Sequence, residues 1–278
     1  RDIRAVGRGW PILMLGACLP DEIERAVKDN VMPTLSTISE ARHFSRTAKK
    51  LNRTVTVHVK VDTGMGRLGV PTSEAPKLIE SISSLPNITI AGLYTHYSSA
   101  ESDAPLSCTQ RTCFHQLLEK LKAAGHSFEY IHMNNSAGLL HEQKSKHNLA
   151  RPGLLVYGVL PTGPRRPPAI MKRHIRPALS WKCRVSLVKS IAKGTKLSYG
   201  QTYTAKRTMR VATLTVGYGD GYRCSAQREA RVLIGGRPCP ILGRITMDQM
   251  IVDVSRVKNV KTGDEVVLIG KQGKQNIS

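Results

Sequence analysis

From Trp10 to about residue 160 the chain alternates between short apolar runs and amphipathic ones, which constrains its fold more than any other feature. WPILMLGA (10–17), VMPTLS (31–36), VTVHVKVD (55–62), ITIAGLYTHY (88–97), YIHMNNS (130–136) and GLLVYGVL (153–160) read as strands. Between them, PDEIERAVKDN (20–30) puts Ile23, Ala26 and Val27 at helical spacing. Thr37 and Glu40 form a capping-box pattern that opens a helix carrying Ile38, Ala41, Ala48 and Leu51. SEAPKLIESISSL (73–85) carries the stripe Leu78, Ile79 and Ile82. RTCFHQLLEKLKAAG (111–125) turns Phe114, Leu117, Leu118 and Leu121 inward and stops at Gly125. Repeated β–α units with buried strands imply a parallel sheet. Six such strands with short loops fit an α/β barrel better than a sandwich, and in such barrels chemistry gathers at the carboxyl ends of the strands.

The pattern changes after PTGPRRPP (161–168). WKCRVSLVKSI, RVATLTVGYG, ARVLIGGRPCPILGR, MIVDV and DEVVLIG are short strands with turn signals and no convincing helix among them. The expected division is therefore a barrel over residues 1–170 and an all-β C-terminal domain over 171–278. RDIRAVGRGW reads as the end of a helix and a loop, and both chain ends read as cut. No apolar run is long enough to span a bilayer. None of the six cysteines (Cys18, Cys108, Cys113, Cys183, Cys224, Cys239) forms a C-x-x-C pair, which favours free thiols and a cytoplasmic setting. The net charge is +22, but the 42 lysines and arginines are spread along the chain and only 5% of residues are aromatic. A basic surface that attracts anions generally fits this better than a dedicated nucleic-acid site.

Several side chains collect where chemistry is expected. Arg67 follows a strand within VKVDTGMGRLGV, among glycines that let backbone approach a ligand closely. His96 ends ITIAGLYTH, Asn135 and Ser136 end IHMNNS, and Arg151 precedes GLLVYG. In the β domain LSYGQTYTA carries Tyr199, TVGYGDGYR carries Tyr218 and GRITMDQM carries Met247. Singly, each also has a structural reading: a satisfied histidine, a turn tyrosine, a core methionine or a paired arginine.

The order and spacing of HVKVDTGMGRLGV, GLYTHY, HMNNSAG, RPGLLVYGV, LSYGQTYTA, TVGYGDGY and GRITMDQ resemble the alanine racemases, pyridoxal-phosphate enzymes of fold type III, from Trp10 to Gly270. The resemblance implies a partial (β/α)8 TIM-type barrel, in which the six strands are about the third to the eighth. It implies interconversion of L- and D-alanine by a homodimer with shared active sites, supplying D-alanine for peptidoglycan. Arg67 matches the arginine that bonds the cofactor's phenolic oxygen and lies near the substrate carboxylate. Lys60 matches a position carbamylated in some members. Arg151 matches the arginine facing the pyridine nitrogen, and His96 the histidine bonded to it. Ser136 and the amides of Gly153 and Leu154 match the phosphate cradle, with Asn135 beside it. Tyr199 matches the catalytic tyrosine, Met247 a residue whose backbone amide contacts the substrate carboxylate, and Tyr218 an entrance residue. The family's Schiff-base lysine, in a VKANAYGHG-like motif, matches no residue here. The chain therefore reads as a piece of such an enzyme, inactive alone. Two other readings remain open: a racemase of this fold acting on serine or another amino acid, and a non-catalytic basic binding protein.

Overall fold

The computed structural model describes residues 2–7, 9–142, 147–228 and 230–277; of the RDIRAVGRGW reading, Arg1 and Arg8 lie outside the described residues. Two compact units emerge, Arg1–Arg176 and Pro177–Ser278.

The first unit runs α1 (Asp2–Val6), β1 (Ile12–Met14), α2 (Ile23–Lys28), β2 (Val31–Leu35), α3 (Ile38–Lys50), β3 (Val55–Asp62), β4 (Val70–Pro71), α4 (Ala75–Ser83), β5 (Ile88–Tyr94), α5 (Ala104–Ala123), β6 (Tyr130–His132), α6 (Ser136–His141) and α7 (Ala169–His174). The strands pair in parallel in the order β1-β2-β3-β5-β6, with the short β4 beside β3. Each main strand lies next to its predecessor, as in a TIM-type barrel and unlike a doubly wound sheet, whose order reverses. The capping box forms as its residues dictate: Thr37 Oγ1 accepts from Glu40 N at 3.2 Å, and Glu40 accepts from Thr37 N at 2.9 Å. Leu35, Val57, Val59, Val61 and Leu93 pack against Phe44, Ile79, Ile82 and Phe114 to form the buried core.

Two differences from the sequence reading concern this unit. The α5 helix begins at Ala104, a turn or more before RTCFHQ, because Asp103 caps it by accepting from Leu106 N at 2.8 Å. GLLVYGVL is not a strand: Leu154–Tyr157 form a 3-10 turn. Its backbone closes on itself, Val156 N donating to Gly153 O and Gly158 N to Leu155 O, both at 3.1 Å. The β-prone Leu, Val and Tyr side chains do not decide the state, because strand propensity is realised only against a paired neighbour.

The second unit contains β7 (Trp181–Ile191), β8 (Lys196–Leu197), β9 (Tyr203–Thr204), β10 (Met209–Leu214), β11 (Arg231–Ile234), β12 (Arg237–Leu242), β13 (Met250–Asp253), β14 (Glu265–Gln272) and β15 (Gln275–Ile277). All its pairings are antiparallel, in the order β11-β12-β13-β10-β7-β14-β15, and β11 also pairs with β14. That last pairing closes a six-strand ring and removes its free edges. Val216, Val232, Ile234, Val252, Val254 and Val266 fill its interior. No helix among the described residues is long and apolar enough to cross a membrane.

Candidate active site

The carboxyl end of β3 is shaped by Asp62. Its carboxylate accepts from the N–H groups of Gly64 at 2.9 Å, Met65 at 2.8 Å and Gly66 at 3.0 Å, curling the chain over the strand end. Burial pushes the Asp62 carboxyl up, but these backbone donors, with Lys60, hold it below its ordinary value. Gly69 closes the loop at φ +113, where an added Cβ would stand 2.8 Å from Asp62 N. Only glycine fits there. The loop leaves Arg67 exposed.

Beneath the loop, β3 turns Val57, Val59 and Val61 to the helices and His58 and Lys60 to the opposite face, yet His58 and Lys60 are also buried. The Lys60 amine is pushed below its ordinary value by burial and by the charges of Arg67 and Arg151. Neighbouring β5 adds Tyr94, whose hydroxyl bonds Thr34 Oγ1 at 2.8 Å. The Tyr94 ring stacks on His132 with centroids 4.5 Å apart, and the Arg151 guanidinium lies over it at 4.9 Å.

Arg151 is the centre of the arrangement. It donates to Thr95 O at 2.8 Å, Met133 O at 3.2 Å, His96 Nδ1 at 3.2 Å and His132 Nδ1. Its Nε is buried without a hydrogen-bond partner. Burial pushes its pKa down to about 10, which leaves a full charge at neutral pH. His96 is pushed down to about 4 by burial and by Arg151, Lys60 and Arg67, so it is neutral and accepts from Arg151 at Nδ1. Asn135 anchors this corner: its Oδ1 accepts from Gly138 N at 2.9 Å, capping α6, and its Nδ2 donates to Tyr97 O at 3.2 Å. Ser136 Oγ accepts from Leu155 N at 3.4 Å, which ties α6 to the turn bearing Gly153 and Leu154.

Arg67, Lys60, His96, Asn135 and Ser136 thus lie at or just past strand ends of the first unit, and Arg151, Gly153 and Leu154 on the segment after α6. The second unit carries the other three. Tyr199 opens a 3-10 turn after Ser198, whose φ of 63° and ψ of 179° are costly for any residue but glycine. Ser198 Oγ donates to Arg244 O at 2.6 Å. Tyr218 and Met247 are neighbours, since Gly219 N donates to Met247 O at 2.8 Å and Tyr218 N to Thr246 O at 3.0 Å. Tyr199, Tyr218 and Met247 are all exposed, Tyr199 at 72%. The sequence reading missed Asp62, Tyr94, His58 and His132. For His58 and Asp62 the available signal was parity: each is two residues from Lys60 on β3, so the three share a face.

The family described as "Alanine racemase, N-terminal domain" matches residues 1–161, and "Alanine racemase, C-terminal domain" matches residues 178–278. The alanine racemase of Halothermothrix orenii is 40% identical over 278 residues, covering 100% of this chain and 72% of that one. That of Syntrophobacter fumaroxidans is 37% identical, covering 100% and 73%. Among solved structures, alanine racemase of Clostridium difficile 630 superposes with TM-score 0.92 at 30% identity, covering 98% of this chain and 70% of that one. The Bacillus anthracis alanine racemase with bound L-Ala-P gives TM-score 0.86 at 31% identity, covering 100% and 71%. The chain belongs to the alanine racemase family.

Proposed function

We propose that the protein interconverts L- and D-alanine with pyridoxal 5'-phosphate held at the carboxyl end of the parallel sheet. It acts as a cytoplasmic homodimer that supplies D-alanine for peptidoglycan. One observation carries the cofactor reading: the buried, unpartnered Nε donor of Arg151, on a guanidinium whose other nitrogens are engaged. A pyridine nitrogen supplies the lone pair such a donor needs. The other residues fit the same group. Ser136 offers a hydroxyl beside the turn at Gly153, where an added Cβ would meet nothing within 4 Å, and this open ground suits a phosphate.

Bound there, pyridoxal phosphate would supply the electron withdrawal that acidifies the substrate's Cα–H. Arg151 keeps its own proton, so it bonds a ring nitrogen without protonating it, which moderates that withdrawal. Arg67 supplies a fixed cation for the phenolic oxygen and the substrate carboxylate, and the Met247 backbone N–H adds a second contact to that carboxylate. Tyr218 narrows the entrance. Tyr199 is the base that takes the proton from L-alanine. Lys60, disfavoured as an ammonium by burial and by the charges of Arg67 and Arg151, is carbamylated and orients Arg67 as an anion. The base for D-alanine, a lysine in this family, matches none of the 278 residues.

Tyr199→Phe tests the reading in the holoenzyme. Net rates in the two directions are tied together by an equilibrium constant of about one, so the informative readout is Cα-hydrogen exchange into deuterated water. Exchange from L-alanine should fall by about 10²–10⁴-fold while exchange from D-alanine persists. Undiminished exchange from L-alanine would remove Tyr199 from its role.

A further inference from the structure

Below Arg151 the sheet interior holds two histidines that the reading above does not use. His132, fully buried on β6, receives Arg151 at Nδ1, and its Nε2 lies 2.9 Å from His58 Nδ1 on β3. His58 is 1% exposed and stacks on Tyr130 with centroids 5.5 Å apart. Its position is built in: the neighbouring strand carries Gly92 in register with it, and a Cβ there would stand 2.2 Å from His58 Nδ1. His58 Nε2 is buried without a hydrogen-bond partner.

Proton bookkeeping along this line has one solution. A guanidinium only donates, so His132 Nδ1 must present a lone pair. A neutral His132 then carries its proton on Nε2 and donates to His58 Nδ1. His58 in turn carries its proton on Nε2, the atom without a partner. We propose that His58 is a positioning residue for racemisation: its Nδ1 locks His132 in the one tautomer that can receive Arg151, and so keeps the Arg151 Nε donor aimed for a ring nitrogen. Both imidazoles are held neutral, His132 at about 2 and His58 at about 4, by burial and by the nearby Arg151 charge. Without His58, His132 has no acceptor for its Nε2–H, the opposite tautomer becomes competitive, and two donors then face each other at Arg151. The inference rests on the cofactor reading for its catalytic consequence, but the tautomer itself does not.

The test joins imidazole nitrogen NMR of the cofactor-free protein with kinetics of the holoenzyme. The wild-type spectrum should show His132 neutral and protonated at Nε2. His58→Leu should move that proton toward Nδ1 and lower kcat about 10–100-fold, with the alanine KM changed less than about twofold. His58→Asn restores an acceptor near Nδ1 and should keep the wild-type tautomer and kcat within about threefold. A wild-type His132 that is charged or protonated at Nδ1 overturns the proposal, as do equal losses in both variants or a His58→Leu enzyme with wild-type kcat. If His58→Leu fails to fold, the wild-type and His58→Asn spectra decide. If the wild-type holoenzyme turns over no alanine, the racemase reading falls, and the spectra judge the tautomer alone.

Discussion

Arg151 is a cation held by lone pairs. Its described partners are two carbonyls and two imidazoles, with no carboxylate among them. A carboxylate would neutralise it and turn its geometry elsewhere, whereas carbonyls fix the plane and leave the charge for the site. Lys60 faces the opposite circumstance, an amine buried beside two like charges. Carbamylation would turn that repulsion into attraction for Arg67. In protein incubated with carbon-13 bicarbonate, a carbamate carbon signal is expected that Lys60→Ala lacks, together with a loss of activity of about tenfold in that variant. No carbamate signal in active wild-type protein would exclude the modification.

At the scale of elements, the interior face of the parallel sheet is polar and aromatic where most sheet faces are aliphatic. Thr34, His58, Lys60, Tyr94 and His132 are all buried there. Acid should therefore unfold this unit early. His58 and His132 titrate in the fold at about 4 and about 2, against 6.5 for an ordinary histidine. The unfolded chain binds protons first, so their contribution is complete above about pH 6.5 and is lost as pH falls toward their folded values. From these two imidazoles alone, the stability to urea at pH 5.5 should fall below that at pH 7.5 by roughly 2–3 kcal/mol. Equal stability at the two pH values would mean that these imidazoles are not desolvated as described.

For the whole molecule, the proposed homodimer makes the exposed Tyr199, Met247 and Tyr218 intelligible as residues that serve a partner's site. The proposal is open to complementation. Arg67→Ala and Tyr199→Phe, each inactive alone, should regain about a quarter of wild-type activity when co-expressed equally, because half the dimers then carry one intact shared site. If Arg67 and Tyr199 of one chain serve the same site, the mixture never exceeds the mean of the two variants. The +22 charge has no local assignment in either unit.

The order of strands and helices, the Thr37–Glu40 cap and the change to an all-β unit follow from local pattern alone, because spacing and caps act over a few residues. The motif residues around Arg67, His96, Arg151 and Tyr199 were legible for a related reason: each sits in a short stretch whose residue types are unusual together. GLLVYGVL was misread, because apolar β-formers do not reveal whether a strand partner exists. The alternation in VTVHVKVD tells which side chains share a face but not that both faces are covered. Burial of the second face is a property of strands brought together from distant parts of the chain, 74 residues apart for His58 and His132. That burial makes two ordinary histidines neutral and a lone arginine a directed donor, so only the tertiary structure assigned them a part.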